Sequence, residues 1–90
     1  MSNWTFITNH GAVLLVISRT GKITAREIAA EIGITERSVM RIINDLEAAH
    51  YIDRRREGRR NIYHINHELS LRQEITRDTA VGELLKVLSP

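Results

Sequence analysis

Apolar positions keep a helical period up to about residue 50, alternate in a strand-like way after it, and regain helical spacing near the C-terminal end. The longest apolar run is Ala12–Ile17. At about 100° per residue such a run covers nearly the whole circumference of a helix, so a helix here must be buried on more than one side. Asn9 is placed to cap it, and Thr20-Gly21 to end it after Arg19. Lys22-Ile23-Thr24 then forms a short extended piece, expected to lie beside later strands as a third one. Thr24-Ala25-Arg26-Glu27 has the spacing of a capping box, in which the Thr hydroxyl and the Glu carboxylate satisfy reciprocal backbone amides. A second helix follows with Ile28, Ala29 and Ile32 inward, and Gly33 stops it. Thr35 caps a third helix whose stripe is Val39, Ile42, Ile43, Leu46 and Ala49, with His50 at its rim. Two strands, Tyr51–Arg56 and Asn61–Ile65, are joined by Glu57-Gly58-Arg59-Arg60, where Gly58 supplies the positive φ of a hairpin loop. Residues 66–77 are polar and predict irregular chain. A last helix from about Asp78 places Val81, Leu84, Leu85 and Leu88 on one stripe.

The second and third helices carry a more specific pattern. Ala29, Gly33 four residues on, and Val39 six beyond that have the spacing of a helix-turn-helix. Ala29 is small where the helices cross, Gly33 sits where the turn needs an unusual backbone, and Val39 plugs the angle between them. With Val39, Ile42, Ile43 and Leu46 buried, the opposite arc holds Arg37, Arg41, Asn44 and Ala48, flanked by Ser38 and Met40. Arginine can fork onto guanine and asparagine onto adenine in a major groove, and the small Ala48 permits close approach. Thr35 and Ser38 can serve phosphates or bases. A merely solvated face with Arg37 and Arg41 at i,i+4 is the plainer alternative, and the neighbouring hairpin argues against it.

Charge sharpens this picture. The net charge is +2, but residues 54–60 hold five arginines against Glu57, a local +4 that leaves the remainder at −2. A mildly acidic body with one concentrated basic element suits orientation by a polyanion. The arginines fall on the hairpin, where they can contact phosphates. Arg59 and Arg60 at the tip are the first choice, with Arg55, Arg56 and Asn61 beside them; Arg54, Arg55 and Arg56 cannot all point outward, because strand side chains alternate. Ninety residues suffice for one modest core, and the absence of cysteine removes disulfides, thiolate metal sites and thiol nucleophiles. No apolar stretch approaches the ~20 residues of a membrane span, and no basic-then-apolar leader is seen, pointing to a cytoplasmic protein.

Other candidate chemistry is thin. His64 and His67 form a lone pair without a thiol, and Glu47 with His50 is half of a motif that needs two copies. No nucleophile–base set, phosphate loop or acid pair stands out, so neither an enzyme, a metal nor a cofactor is expected. Trp4 and Phe6 suit packing or an interface better than base stacking, since single-strand binders interleave several aromatics with basic residues. Tyr63 should pack on the core with Ile65.

Taken together, the stretch TAREIAAEIGITERSVMRIINDLEAAHYIDRRREGRRNIYHIN resembles the winged helix-turn-helix of small MarR-like or ArsR-like prokaryotic transcriptional regulators. WTFITNHGAVLLVIS before it, and LSLR and TAVGELLKVL after it, are similar to a compact subgroup of them. The resemblance implies a recognition helix at residues 35–50 and a wing at 51–65 that bind operator DNA. His50 departs from the pattern, standing where such proteins commonly have glycine, and no ligand domain is appended. The expected fold is mainly α with a small β-hairpin wing: a three-helix core plus a C-terminal helix, in one domain over residues 1–90, with the helix-turn-helix at about 24–50 and the last helix at about 78–88. The expected function is sequence-specific binding of double-stranded DNA; the alternative is a winged-helix module for protein–protein interaction. A homodimer is expected, because one unit spans few base pairs, with Trp4, Phe6, Leu14, Leu15, Val81, Leu84, Leu85 and Leu88 at its interface. The alternative is a monomer whose last helix folds back on the first.

Overall fold

The computed structural model describes residues 4–89. Its elements are α1 (Asn9–Thr20), β1 (Lys22–Ile23), α2 (Ala25–Ile32), α3 (Glu36–Ala48), β2 (Ile52–Glu57), β3 (Arg60–Ile65), a short 3₁₀ turn (Glu74–Thr76) and α4 (Val81–Leu88). The three strands form one antiparallel sheet in the order β1-β3-β2. The sheet packs beside a three-helix bundle, and this is a winged helix fold.

Local chemistry sets the helix ends. The α1 cap is Thr8, not Asn9: Thr8 is extended and its hydroxyl accepts the Gly11 amide at 3.1 Å, which makes Asn9 the first helical residue. The capping box of α2 is complete, with the Glu27 amide donating to Thr24 Oγ1 at 3.1 Å and the Thr24 amide to Glu27 Oε1 at 3.0 Å. Thr35 caps α3 by accepting the Ser38 amide at 3.0 Å.

At the other end of α3, His50 has φ +68°, the only left-handed residue other than glycine among those described. The His50 amide donates to Glu47 O at 3.0 Å and the Tyr51 amide to Leu46 O at 2.9 Å. These are the two bonds of a Schellman motif, whose left-handed residue is usually glycine. The geometry that glycine would favour is therefore kept by a histidine.

The hairpin is tighter than its sequence predicts. Glu57 pairs with Arg60, so the strands run to both residues and only Gly58-Arg59 turn the chain. Gly58 has φ +63° and Arg59 does not have a positive φ, the pattern of a type II′ turn that suits the twist of the flanking strands. At the base, Tyr51 lies just outside β2.

Residues 66–77 are irregular as expected, apart from the 3₁₀ turn at Glu74–Thr76, and the irregular chain runs on to residue 80 but is fastened. Ser70 bridges Ala80, the Leu71 amide donates to Thr79 O at 2.9 Å, and the Val81 amide donates to Leu69 O at 2.7 Å. This bridge holds Ala80 extended, so α4 begins at Val81 and not at Asp78. The approach is close: a Cβ on Gly82 would lie 2.7 Å from His67 Cβ and 2.9 Å from His67 O.

One core joins all layers. Val13 and Ile17 of α1 meet Ile28 of α2 and Val39, Ile42 and Ile43 of α3, and Ile52, Tyr63 and Ile65 close it from the sheet. The chain's own α4 folds back on α1, adding Val81 and Leu85. Burial is thus spread round α1, as its unbroken apolar run requires. Tyr63 is buried, which pushes its phenol above the usual range, opposed by a bond from Asn61 Nδ2.

Candidate nucleic-acid interface

The helix-turn-helix and the hairpin are rigidly related because Val39, Ile43, Ile52 and Tyr63 belong to the same core. Along α3, Arg37, Arg41, Asn44 and Ala48 are exposed, and Met40 and Ser38 are half-buried beside them. The sequence-predicted reading arc is therefore one accessible surface. Three of the predicted reading residues are already engaged: the Thr35 hydroxyl donates to Ser38 Oγ at 2.9 Å while accepting the Ser38 amide, so Thr35 serves chiefly as the cap, and Asn44 Oδ1 accepts from Arg54 Nη2 at 3.2 Å.

Strand alternation divides the basic run. Ile52 is buried on the core face of β2, and Arg54 and Arg56 share that face, opposite Tyr63 and Asn61 of β3. Asp53, Arg55 and Glu57 lie on the other face. A cleft of about 750 Å³ opens between α3 and the wing, lined by Arg26, Glu36, Arg37, Met40, Arg54, Arg56, Arg59 and Asn61, with Thr24 and Ala25 at its end. Arg26, Arg37, Arg56 and Arg59 have no carboxylate partner among the described residues. Arg56 donates Nε to Gly58 O at 3.1 Å, which steadies it along the turn and leaves the rest of its guanidinium free.

Two residues picked from the sequence as wing contacts lie apart from this cleft. Arg55 sits on the face of β2 away from this cleft, because Ile52 fixes the parity of the strand. Arg60 pairs with Glu27 of the α2 capping box, while Lys22 Nζ lies 2.5 Å from Glu57 Oε1. Both pairs tie the wing to the start of the helix-turn-helix. The Glu27 carboxyl is held below the usual carboxylate range, first by the Thr24 amide and hydroxyl and then by Arg60; Glu57 is lowered by Lys22. Conversely, Arg26 and Arg54, which are not among the residues expected at the interface, line the cleft. The parity of Ile52 would have found Arg54, whereas Arg26 needs the tertiary placement of α2 against the wing.

Of the residues assigned to a dimer interface, Leu14, Val81 and Leu85 are buried within their own chain, because α4 covers α1. Leu15, Leu84 and Leu88 remain half-buried, and Trp4 and Phe6 are 69% and 91% exposed. The two aromatic rings meet edge-on, with centroids 5.1 Å apart. No group of three metal-ligating side chains occurs among the described residues, and His64 and His67 are both exposed. Nor is any described helix long and apolar enough to cross a membrane.

No curated protein matches the chain. The model of the MarR family matches residues 5–60, from just after Trp4 through the helix-turn-helix to the hairpin turn. That span contains α1, β1, α2, α3 and β2, including both the exposed arc of α3 and every arginine of the cleft. With more than half of its length matched and a winged helix fold around that span, the chain belongs to the MarR family of DNA-binding transcriptional regulators.

Proposed function

We propose that the protein binds double-stranded DNA sequence-specifically, with α3 in the major groove and the wing against the backbone. The observation that carries this reading is the set of arginines without a carboxylate partner among the described residues, Arg26, Arg37, Arg56 and Arg59, brought from α2, α3 and the wing onto one cleft beside the exposed arc of α3. Cations from three elements facing one cleft match a run of phosphates, and arginine adds the forked geometry that grips them. Arg41 and Asn44 supply base-edge chemistry, with Met40 and the small Ala48 allowing close contact. The exposed large apolar residues, Trp4, Phe6, Ile75 and Val87, all lie off α3, which argues against that helix as a protein-docking face.

The reading includes a two-fold dimer. Its interface is smaller than the sequence predicts: Trp4 and Phe6, with Leu15, Leu84 and Leu88 at the edge of the core. Two copies would present paired recognition helices to half-sites about one turn apart, which one unit of few base pairs cannot reach alone.

Fluorescence anisotropy with labelled duplexes, after selection from a random duplex library, tests this. Affinity should fall steeply with salt. Arg56→Ala and Arg59→Ala should weaken all sequences alike and lessen the slope by about one per lost contact, while Arg41→Ala relaxes preference at one base pair. Salt-independent binding, or no enriched sequence, would refute it. Light scattering at micromolar concentration tests the dimer; a 10.3 kDa species without DNA, and a single chain per duplex with it, would remove that part alone.

A further inference from the structure

Arg54 differs from the other arginines of the wing. Arg55, Arg56, Arg59 and Arg60 are exposed, whereas the Arg54 side chain is only 29% accessible and reaches from β2 to α3. There it meets two side chains one turn apart. Its Nη2 donates to Asn44 Oδ1 at 3.2 Å, and its Nε lies 3.4 Å from Glu47 Oε1. Behind it, across the sheet, stands the buried Tyr63. The guanidinium is thus neutralised by Glu47 and braced by the sheet before any ligand arrives.

We propose that Arg54 is a positioning residue for base recognition, fixing the side-chain amide of Asn44 so that its NH2 group faces the DNA. The proposal rests on the DNA-binding reading above and adds to it a specificity role for a residue outside the reading arc. An asparagine amide is two-faced, with an acceptor oxygen on one side and two donor hydrogens on the other. Unrestrained, it can present either to a base edge and discriminates poorly. Arginine has donors only, so a guanidinium beside Asn44 is satisfied by the oxygen and repelled by the NH2 group. A charge-assisted bond is stronger than a neutral one and favours one of the two amide orientations. With the oxygen drawn toward the wing, Asn44 acts first as a donor. It therefore selects an acceptor on the base edge: N7 of a purine, O6 of guanine or O4 of thymine. Cytosine, which offers N4–H2 there, is disfavoured. Glu47 keeps Arg54 in place and cancels its charge, so Arg54 makes little contribution to phosphate binding.

This differs from a phosphate contact in ways that can be measured. In anisotropy titrations against a selected site and its single-base variants, Arg54→Lys should lose about tenfold discrimination at one base pair, because an ammonium keeps the charge but not the fork that spans Asn44 and Glu47. The salt slope should stay at the wild-type value. Arg54→Ala should lose discrimination at that same base pair, and adding it to Asn44→Ala should cost nothing further there. Asn44→Asp keeps the partner of Arg54 but removes the donors, and should invert the preference toward cytosine. Thermal melts establish that each variant is folded; Arg54→Lys, which retains the charge and most of the stem, serves if Arg54→Ala is not. A near-normal Arg54→Lys, together with an Arg54→Ala that weakens every sequence uniformly and lowers the slope by about 0.9, would identify a phosphate contact and overturn the proposal. Wild-type protein that shows no base preference would overturn the DNA reading itself, and this inference with it.

Discussion

Replacing His50 by glycine should stabilise the protein, although it removes a whole side chain. His50 holds φ +68° at the end of α3, and its side chain is exposed without a hydrogen-bond partner among the described residues. A residue with a Cβ in the left-handed region is destabilised by roughly 1–2 kcal/mol, through the contact of Cβ with the following carbonyl. Glycine relieves this, but its freer unfolded chain returns roughly 0.4–1 kcal/mol. The balance is a gain of about 0.5–1 kcal/mol, and for a chain of this length about 3–6 °C in Tm. Both Schellman bonds, to Glu47 O and Leu46 O, use backbone amides and survive the change. The assay is thermal denaturation followed by circular dichroism. His50→Asn should fall between the two, since asparagine tolerates this region better than most residues, and His50→Val should melt below wild type. A His50→Gly protein that melts at or below the wild-type temperature would refute the argument, because it would mean that this side chain stabilises the helix exit by more than its backbone strain.

Gly82→Ala should have the opposite sign to its helix propensity. Alanine in α4 would ordinarily add up to ~1 kcal/mol, but a Cβ only 2.9 Å from His67 O must push the helix off the 66–71 segment, for a net loss of about 1–2 kcal/mol read by urea denaturation. Acid should also loosen the wing. Glu27 and Glu57 have folded pKa values below their ordinary 4.5, so their contribution is complete above that pH and is lost as pH falls through the lowered values. Melting temperature should therefore drop below about pH 4.5, and the Glu27→Gln/Glu57→Gln pair should flatten that limb while lowering the plateau; an unchanged acid limb would exclude both carboxylates as its source.

The parts of this fold that were legible in the sequence are those governed by chemistry within a few residues. The capping box at Thr24 and Glu27, the cap at Thr35 and the stripe of α3 each depend on neighbours one turn away. The short β1 is the exception, since its partner β3 lies about 40 residues on, Lys22 opposite Ile62 and Ile23 opposite Asn61; only its extended character between two helices is local. The misreadings arise where distant segments compete for the same backbone. Asp78 has the local chemistry of a helix start, yet Ala80 is held extended by Ser70, ten residues earlier, and only then is α4 free to begin. At α1, Asn9 and Thr8 are both competent caps, and Thr8 is the one whose hydroxyl accepts the Gly11 amide.

The arginines show most clearly why a basic run is not yet a binding site. Composition treats the five arginines between residues 54 and 60 as equivalent, and the fold gives them at least three roles. Ile52 at the foot of β2 must enter the core, and this one burial fixes the parity of every residue after it. Arg54 and Arg56 then face the cleft and Arg55 does not. Arg60, across the turn from Glu57, finds the carboxylate of Glu27 that already completes a capping box. Arg54 meets Glu47 and Asn44 because α3 and β2 leave the same tight helix exit and run back past one another. The left-handed turn at His50 sets that return, so the backbone conformation of one exposed histidine helps determine which arginine stands beside Asn44. His50→Gly preserves that turn and should leave the base preference of α3 unaltered, even as it raises the melting temperature.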